Sequence, residues 1–318
     1  MKTYEKIYKL LWNTKDSISE EELAQTLGIS RTSVWKGIKS LEKQGLIIKV
    51  SSNRSYRLEQ GDLLLPEEIA QNLGIPVHFM TDSTSTQLDA KRGIERQDKS
   101  PALYLAPTQA QAQGRFGRSF FTAKTGGIYM TLRLRPEASF KDLKPYTLLV
   151  AAAIVKAIEQ LTDIQVNIKW VNDIYQNGKK IAGILTESIS SVEAQVVTDI
   201  IIGVGLNFHL LDLPAELSKT ASSLFTDTPS ITRNQLITKI WHIFFTTSEE
   251  ELLTLYKKKS LVLGKQVTFS QQNQHYCGLA TAITDTGTLQ VQLEDGSLKM
   301  LSSGDISLAS WSDSPRPE

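Results

Sequence analysis

The chain has 318 residues, 41% apolar and 22% charged, more than one core organises when domains run to ~100–200 residues, so two or three domains are expected. A net charge of +1 excludes a protein that coats nucleic acid along its whole length, and no apolar run approaches the ~20 residues of a membrane span. A single Cys277 excludes an internal disulfide and a cysteine-based zinc cluster.

The opening stretch MKTYEKIYKL lacks the apolar core and cleavage site of a signal peptide, so cytoplasmic residence is expected. Cys277 is expected to be partly buried, as free cysteines usually are. His78, His209, His242 and His275 are scattered, and none is assigned a catalytic or metal role.

The charge is uneven. Residues 1–60 carry 11 Lys/Arg against 7 Asp/Glu, and between Arg31 and Arg57 seven basic residues face one acid, Glu42. In chain order, Ile7, Leu10 and Leu11 form the apolar stripe of a first helix, and Ser19 with Glu22 makes a capping box for a second. Gly28 ends that helix, and Ser30 caps a third in which Val34, Ile38 and Leu41 face inward. Arg31, Thr32, Ser33, Lys36 and Lys39 lie on its other face, while Trp35 is expected at the edge of the core. LIIKV and YRL around SSNRS predict two strands of a wing, with Arg54 placed to meet phosphate. The arrangement reads as a winged helix-turn-helix over residues 1–62, with a protein-contact module as the alternative.

From Leu63, strand patterns (ALYLAP, GIYMTLRLR, VNIKW, KIAGILTE, VVTDIIIGVG) alternate with the buried helix PYTLLVAAAIVKAIEQL, predicting an α/β domain with a mostly antiparallel sheet. Asn177-Gly178 predicts a tight hairpin that brings KWVND beside KIAG. Four segments hold more polar chemistry than a core needs. They are the hydroxyl run Ser83-Thr84-Ser85-Thr86, the loop Gln109 to Arg118, Lys169-Trp170-Val171-Asn172-Asp173, and Gly203-Val204-Gly205-Leu206-Asn207. In the second, two glycines interleave Arg115 and Arg118, where backbone and guanidinium both meet an anion, although a disordered RNA-binding segment has the same composition. Lys169, Lys180, Arg115, Arg118 and Asp173 together predict neutralisation of a triphosphate. No Rossmann fingerprint and no P-loop motif is present.

In this order, the hydroxyl run, GRFGR, KWVND, KIAGIL and GVGLN resemble the bifunctional biotin protein ligases that double as biotin operon repressors. The resemblance implies an α/β (α+β) multidomain chain. A winged helix over 1–62 would precede a catalytic domain of the biotin/lipoate ligase type over 63–262 and a C-terminal SH3-like β-barrel over 263–318. It also implies that ATP, with Mg²⁺ near Asp173, activates biotin as biotinyl-5′-AMP, which is then passed to a lysine of a biotin carboxyl carrier protein. By the same resemblance Ser83, Thr84, Ser85, Gln109, Gln113, Gly114, Arg115 and Lys180 contact biotin. Lys180, Arg115 and Lys169 act in catalysis, and Arg118, Asn172, Asp173 and Asn207 hold ATP or the adenylate. The adenylate-bound form would be a homodimer on operator DNA, with no membrane partner. Two departures stand out: Ala112-Gln113 replace a Gly-Arg pair of the family loop, and Val171 replaces a proline. A biotin-sensing repressor without turnover and a lipoate-type ligase remain as alternatives.

Overall fold

A computed structural model describes residues 1–308 apart from 15, 192, 272, 273, 303 and 305. Residues 1–60 fold as α1 (Thr3–Asn13), β1 (Ile18–Ser19), α2 (Glu20–Leu27), α3 (Arg31–Lys43), β2 (Ile47–Val50) and β3 (Ser55–Gln60). Ser19 and Ser30 cap α2 and α3 by accepting the Glu22 and Ser33 N–H groups, each at 3.1 Å, and Gly28 takes the left-handed conformation that ends α2. Ile7, Leu11, Leu23, Val34, Ile38 and Leu41 form this unit's core, as their spacing requires. The three strands pair in the order β1-β3-β2. Trp35 is not at a core edge: it is 51% exposed, because positions 31, 35 and 39 share the outer stripe of α3.

Two residues at the start of a later helix clamp the chain leaving the winged helix. α4 (Pro66–Leu73), β4 (Val77–Phe79), α5 (Thr86–Glu95), β5 (Ala102–Ala106), β6 (Gly127–Leu134) and α6 (Tyr146–Leu161) begin the central domain. β7 (Asn167–Lys169), β8 (Asp173–Gln176), β9 (Lys179–Ser191), β10 (Val196–Asn207), α7 (Arg233–Thr246) and α8 (Glu249–Lys258) complete it. At the N-terminus of α7, Arg233 Nε and its backbone N–H donate to Asp62 at 2.6 Å each, and Nη2 donates to the Asp62 carbonyl at 2.7 Å. Asn234 bonds both the Leu63 carbonyl and the Leu65 N–H, at 2.7 and 2.9 Å. Arg233 Nη1 reaches further, to the Gly127 carbonyl at 3.1 Å, so one buried guanidinium ties the linker to the central sheet.

That sheet has seven strands in the order β4-β5-β6-β10-β9-β8-β7 and is antiparallel except for β4 beside β5. Even-numbered residues of β10 (Ile200, Ile202, Val204, Leu206) point into the main core with α6 and α7. Odd-numbered Ile201 faces the opposite side, packed with Ala90 of α5. A buried Arg133–Asp199 pair at 2.8 Å fastens β6 to β10, and Arg133 Nη1 also holds the Asp98 carbonyl at 2.8 Å.

β11 (Gln266–Gln271), β12 (Gln274–Ile283), β13 (Leu289–Leu293), β14 (Leu298–Leu301) and β15 (Ile306–Leu308) form an antiparallel sheet in the order β14-β13-β12-β11-β15. β14 and β15 lie at opposite edges, so the described residues form an open β-rich module and no closed barrel. Residues 309–318 of the expected C-terminal barrel lie outside the described residues. Cys277 is exposed, not partly buried, because it alternates outward on β12 while Gly278 and Ala280 turn in. The indole N–H of Trp170 donates to the Gly287 carbonyl at 2.9 Å and joins this module to the central domain. No helix among the described residues is long and apolar enough to cross a membrane.

Candidate active site

The sheet face shared by α5 carries a cleft because three facing positions on adjacent strands are glycine. Gly183 on β9 pairs directly with Gly205 on β10, and Gly203 lies two residues along the same face. Without side chains the strand backbones form the floor of a half-open cleft with a volume of about 190 Å³. A Cβ at Gly205 would come 2.5 Å from the Phe120 ring, and one at Gly183 3.2 Å from Lys180 Nζ.

The glutamine-rich loop arches over this floor. Gly114 N–H donates to the Arg118 carbonyl at 2.8 Å and Phe120 N–H to the Ala112 carbonyl at 3.0 Å, closing a small hairpin. Its tip is a 3-10 turn at Arg115–Gly117, with Phe116 exposed and both Phe116 and Gly117 at positive φ. Arg115 donates to Asn172 Oδ1 at 3.2 Å, and Asn172 is itself bonded in both directions to Ile184 at 2.9 Å. Asn177-Gly178 makes the expected left-handed hairpin turn, which places Lys180 Nζ 2.8 Å from Asp173 Oδ1.

Of the residues read as site candidates, Ser85, Gln109, Gln113, Gly114, Arg115, Arg118, Asn172, Asp173 and Lys180 line this cleft. Four others do not. The Ser83 hydroxyl is buried and donates to Asp89 at 2.6 Å, while the Ser83 and Thr84 carbonyls accept from Ala110 and Gln111. Those two residues anchor the loop that carries Gln109. Lys169 sits one strand further out on β7, its ammonium 5.8 Å from the Tyr175 ring centroid. Burial, with the Asp173 charge, pushes that Tyr175 hydroxyl up to about 12. Asn207 is buried beneath the segment that follows β10; its Nδ2 donates to the Ser222 carbonyl at 3.1 Å and its Oδ1 has no partner among the described residues.

Thr86, Gln87, Phe120 and Gly183 also line the cleft. Thr86 closes the hydroxyl run and Gln87 follows it directly, whereas Phe120 and Gly183 needed the strand register. Asp173 is the one carboxylate lining the cleft among the described residues, and no group of three metal-binding side chains is found there. That fits a magnesium ion arriving with nucleotide phosphates, which needs one or two carboxylates from the protein, and not a resident metal cage.

Arg31, Thr32, Lys36 and Lys39 are exposed on α3, with Ser33 half-buried and hydrogen-bonded to Ser30. Arg54 sits at the wing tip with φ +55°. Three of these cations are held by acids of their own unit: Arg31 by Glu21 at 2.9 Å, Lys39 by Glu42 at 2.6 Å and Arg54 by Glu20 at 3.7 Å. The Arg31 and Lys39 pairs are solvent-facing and contribute at most ~1 kcal/mol each, so phosphate can displace them, while Arg54 makes only a long contact to a largely buried Glu20.

The family model of the biotin/lipoate A/B protein ligases matches residues 78–207, an HTH domain model matches 4–57, and the biotin protein ligase C terminal domain matches 262–309. Among curated proteins, the bifunctional ligase/repressor BirA of Bacillus subtilis is 32% identical over 307 residues, covering 92% of this chain and 94% of that one. The protein of the same name from Escherichia coli is 25% identical over 304 residues, covering 92% and 93%. The solved biotin protein ligase from Aquifex aeolicus in complex with biotin and ATP aligns with a TM-score of 0.61 at 25% identity, over 73% of this chain and 98% of that chain.

Proposed function

Because the chain belongs to the biotin protein ligase family, in company with bifunctional ligase/repressors, we propose that it joins biotin to ATP as biotinyl-5′-AMP and transfers biotin to a carrier-protein lysine. The observation that carries this reading is the convergence of Arg115, Arg118 and Lys180 with Asp173 over a glycine floor. Biotin's carboxylate oxygen bonds to the α-phosphorus as the bond to the bridging oxygen breaks, and pyrophosphate leaves with that electron pair. Both reactants are anions, so fixed cations must screen their repulsion. Lys180 stands where it can leave Asp173 for the carboxylate and α-phosphate, and Arg115, braced by Asn172, holds the loop over the mixed anhydride and excludes water. The lysine amine of a biotin carboxyl carrier protein then attacks the acyl carbon and AMP departs.

In this reading Asp173 would hold Mg²⁺, which would supply positive charge against the pyrophosphate, and Arg118 and Asn172 flank the phosphates. Asn207 is assigned to the adenine amine, which requires the segment that covers its buried Oδ1 to move aside. Ser85, Gln109, Gln113 and Gly114 contact biotin. Lys169, outside the cleft, is reserved for the distal phosphates. Functional boundaries at 62/63 and 262/263, an SH3-like C-terminal module and a cytoplasmic setting complete the proposal. The winged helix, presenting Arg31, Thr32, Ser33, Lys36, Lys39 and Arg54, serves repression as an adenylate-bound homodimer on operator DNA.

Purified full-length protein with biotin, ATP and Mg²⁺ is expected to release pyrophosphate and label a biotin carrier domain, with Lys180→Ala lowering kcat by roughly 100- to 1,000-fold. Pyrophosphate release no greater than that of Lys180→Ala would sink the proposal.

A further inference from the structure

A second cavity lies where the winged helix meets the ligase domain. Gly45 packs so closely against Thr125 that a Cβ there would come 2.2 Å from the threonine methyl, and the Asp62–Arg233 pair closes the linker. Both contacts border a half-open space of about 280 Å³. Leu11, Trp12 and Leu58 line it from the winged helix; Leu211, Pro229 and Ile231 line it from the chain between β10 and α7. No residue lines both this cavity and the cleft. Trp12 and Leu211 are still 40% and 61% exposed, so the two domains leave apolar surface uncovered on both sides of their junction.

The polar groups of the cavity decide what it can hold. Glu59 is paired with Arg57 at 2.8 Å and Asp62 with Arg233 at 2.6 Å, so the charges that line it are spent within the protein. His209 differs. It is 9% exposed, yet its ring takes part in no hydrogen bond among the described residues. Its nitrogens are not among the sealed polar atoms, so at this burial they open onto the cavity that the residue lines. Burial holds the imidazole below its ordinary value, which leaves it uncharged at neutral pH, with one nitrogen donating and the other accepting. An ion finds no free counter-charge here, whereas an uncharged ring finds apolar walls and a hydrogen-bonding group of either polarity. An apolar cavity of ~150 Å³ takes up benzene, so nearly twice that volume suits two fused rings.

We propose that this junction is a second binding site, for a small uncharged bicyclic aromatic molecule whose one polar group, an N–H or hydroxyl, bonds to His209. Because both domains supply its walls, an occupant touches the winged helix and the ligase domain at once and fixes one against the other. It therefore acts on domain orientation and leaves the chemistry of the cleft alone.

The test uses full-length protein and 5-fluoroindole, followed by ¹⁹F NMR. Binding is expected with a dissociation constant between ~10 μM and ~1 mM, unchanged by saturating biotin. Thr228→Trp places a ring at the exposed rim and should weaken binding at least ~10-fold, with biotin-dependent pyrophosphate release unaltered. His209→Phe keeps an aromatic ring but removes the polar partner. It should cost 5-fluoroindole roughly 5- to 10-fold and leave 1-fluoronaphthalene, which has no polar group, nearly unaffected. Hydrogen exchange with 5-fluoroindole bound should slow in residues 58–63 and in 228–231 together, and stay constant in the loop 112–120. No binding at ~1 mM, displacement by biotin, equal binding by Thr228→Trp, or protection confined to one domain overturns the proposal. A folded His209→Phe that binds 5-fluoroindole as well as wild type overturns the role of His209.

Discussion

Replacing Arg233 by Met keeps most of the side chain's volume and removes every bond its guanidinium makes. The Asp62 carboxylate then retains only the Arg233 backbone N–H at 2.6 Å, while the Asp62 and Gly127 carbonyls lose donors at 2.7 and 3.1 Å. Both side chains are more than nine-tenths buried, so the orphaned carboxylate is not rehydrated without moving the linker. Removing one partner of a buried pair costs ~3–5 kcal/mol, a large share of the ~5–15 kcal/mol that holds a typical domain together. Arg233→Met and Asp62→Leu alone and combined, unfolded in urea, give a thermodynamic cycle. Arg233→Met should cost ~3–5 kcal/mol and the double variant distinctly less than the sum, since an apolar pair leaves no unpaired charge. Additive losses, or a cost below ~1 kcal/mol for Arg233→Met, would refute the idea that this guanidinium fastens the winged helix to the ligase sheet.

Gly205→Ala should lower adenylation by ~100-fold or more while the protein stays folded, because the new methyl forces Phe120 off the cleft floor; near-wild-type kinetics in a pyrophosphate assay would contradict the glycine-floor geometry. Burial holds the His209 imidazole below its usual value, against the upward pull of Asp62 and Asp227. The unfolded chain therefore binds the proton first, and His209's share of stability, complete above its ordinary ~6.5, is lost as pH falls through the lower folded value. Urea midpoints at about pH 7.5 and about pH 5 should show the stability gap between wild type and His209→Gln narrowing on acidification, and a constant gap would refute it. On operator DNA, Lys36→Ala should reduce the slope of log affinity against log salt by about one, whereas an unchanged slope would remove Lys36 from the phosphate contacts.

The winged helix was legible because local signals agree: Ser30 caps, Gly28 stops, and Val34, Ile38 and Leu41 keep helical period, each within a few residues of the next. Asn177-Gly178 was equally local. Legibility failed where a side chain's partner lies far along the chain. Lys169 resembles Lys180 until strand order puts it outside the site, whereas the Ser83 hydroxyl was misread although its partner, Asp89, lies only six residues on. Trp35 and Cys277 were misplaced for another reason: average burial by residue type yields to the phase of the element that carries the residue. Gln87 shows the same limit from the other side, since its orientation depends on Leu185 and Glu187, about a hundred positions away.

The glycines at 183, 203 and 205 also bear on how the protein senses its ligand. Along this stretch no side chains rise from the sheet, and in the proposed reading bound adenylate would fill the gap as a piece of core that arrives from solution. Whatever fills that gap stabilises the folded state by mass action, about 2.7 kcal/mol at a hundredfold excess over Kd, and orders the loop and Phe120 with it. On that reading metabolite concentration would be converted into rigidity of the sheet, and Gly127, paired with Asn207 at the end of β10 and bonded to Arg233, stands between the cleft strands and the linker to the winged helix.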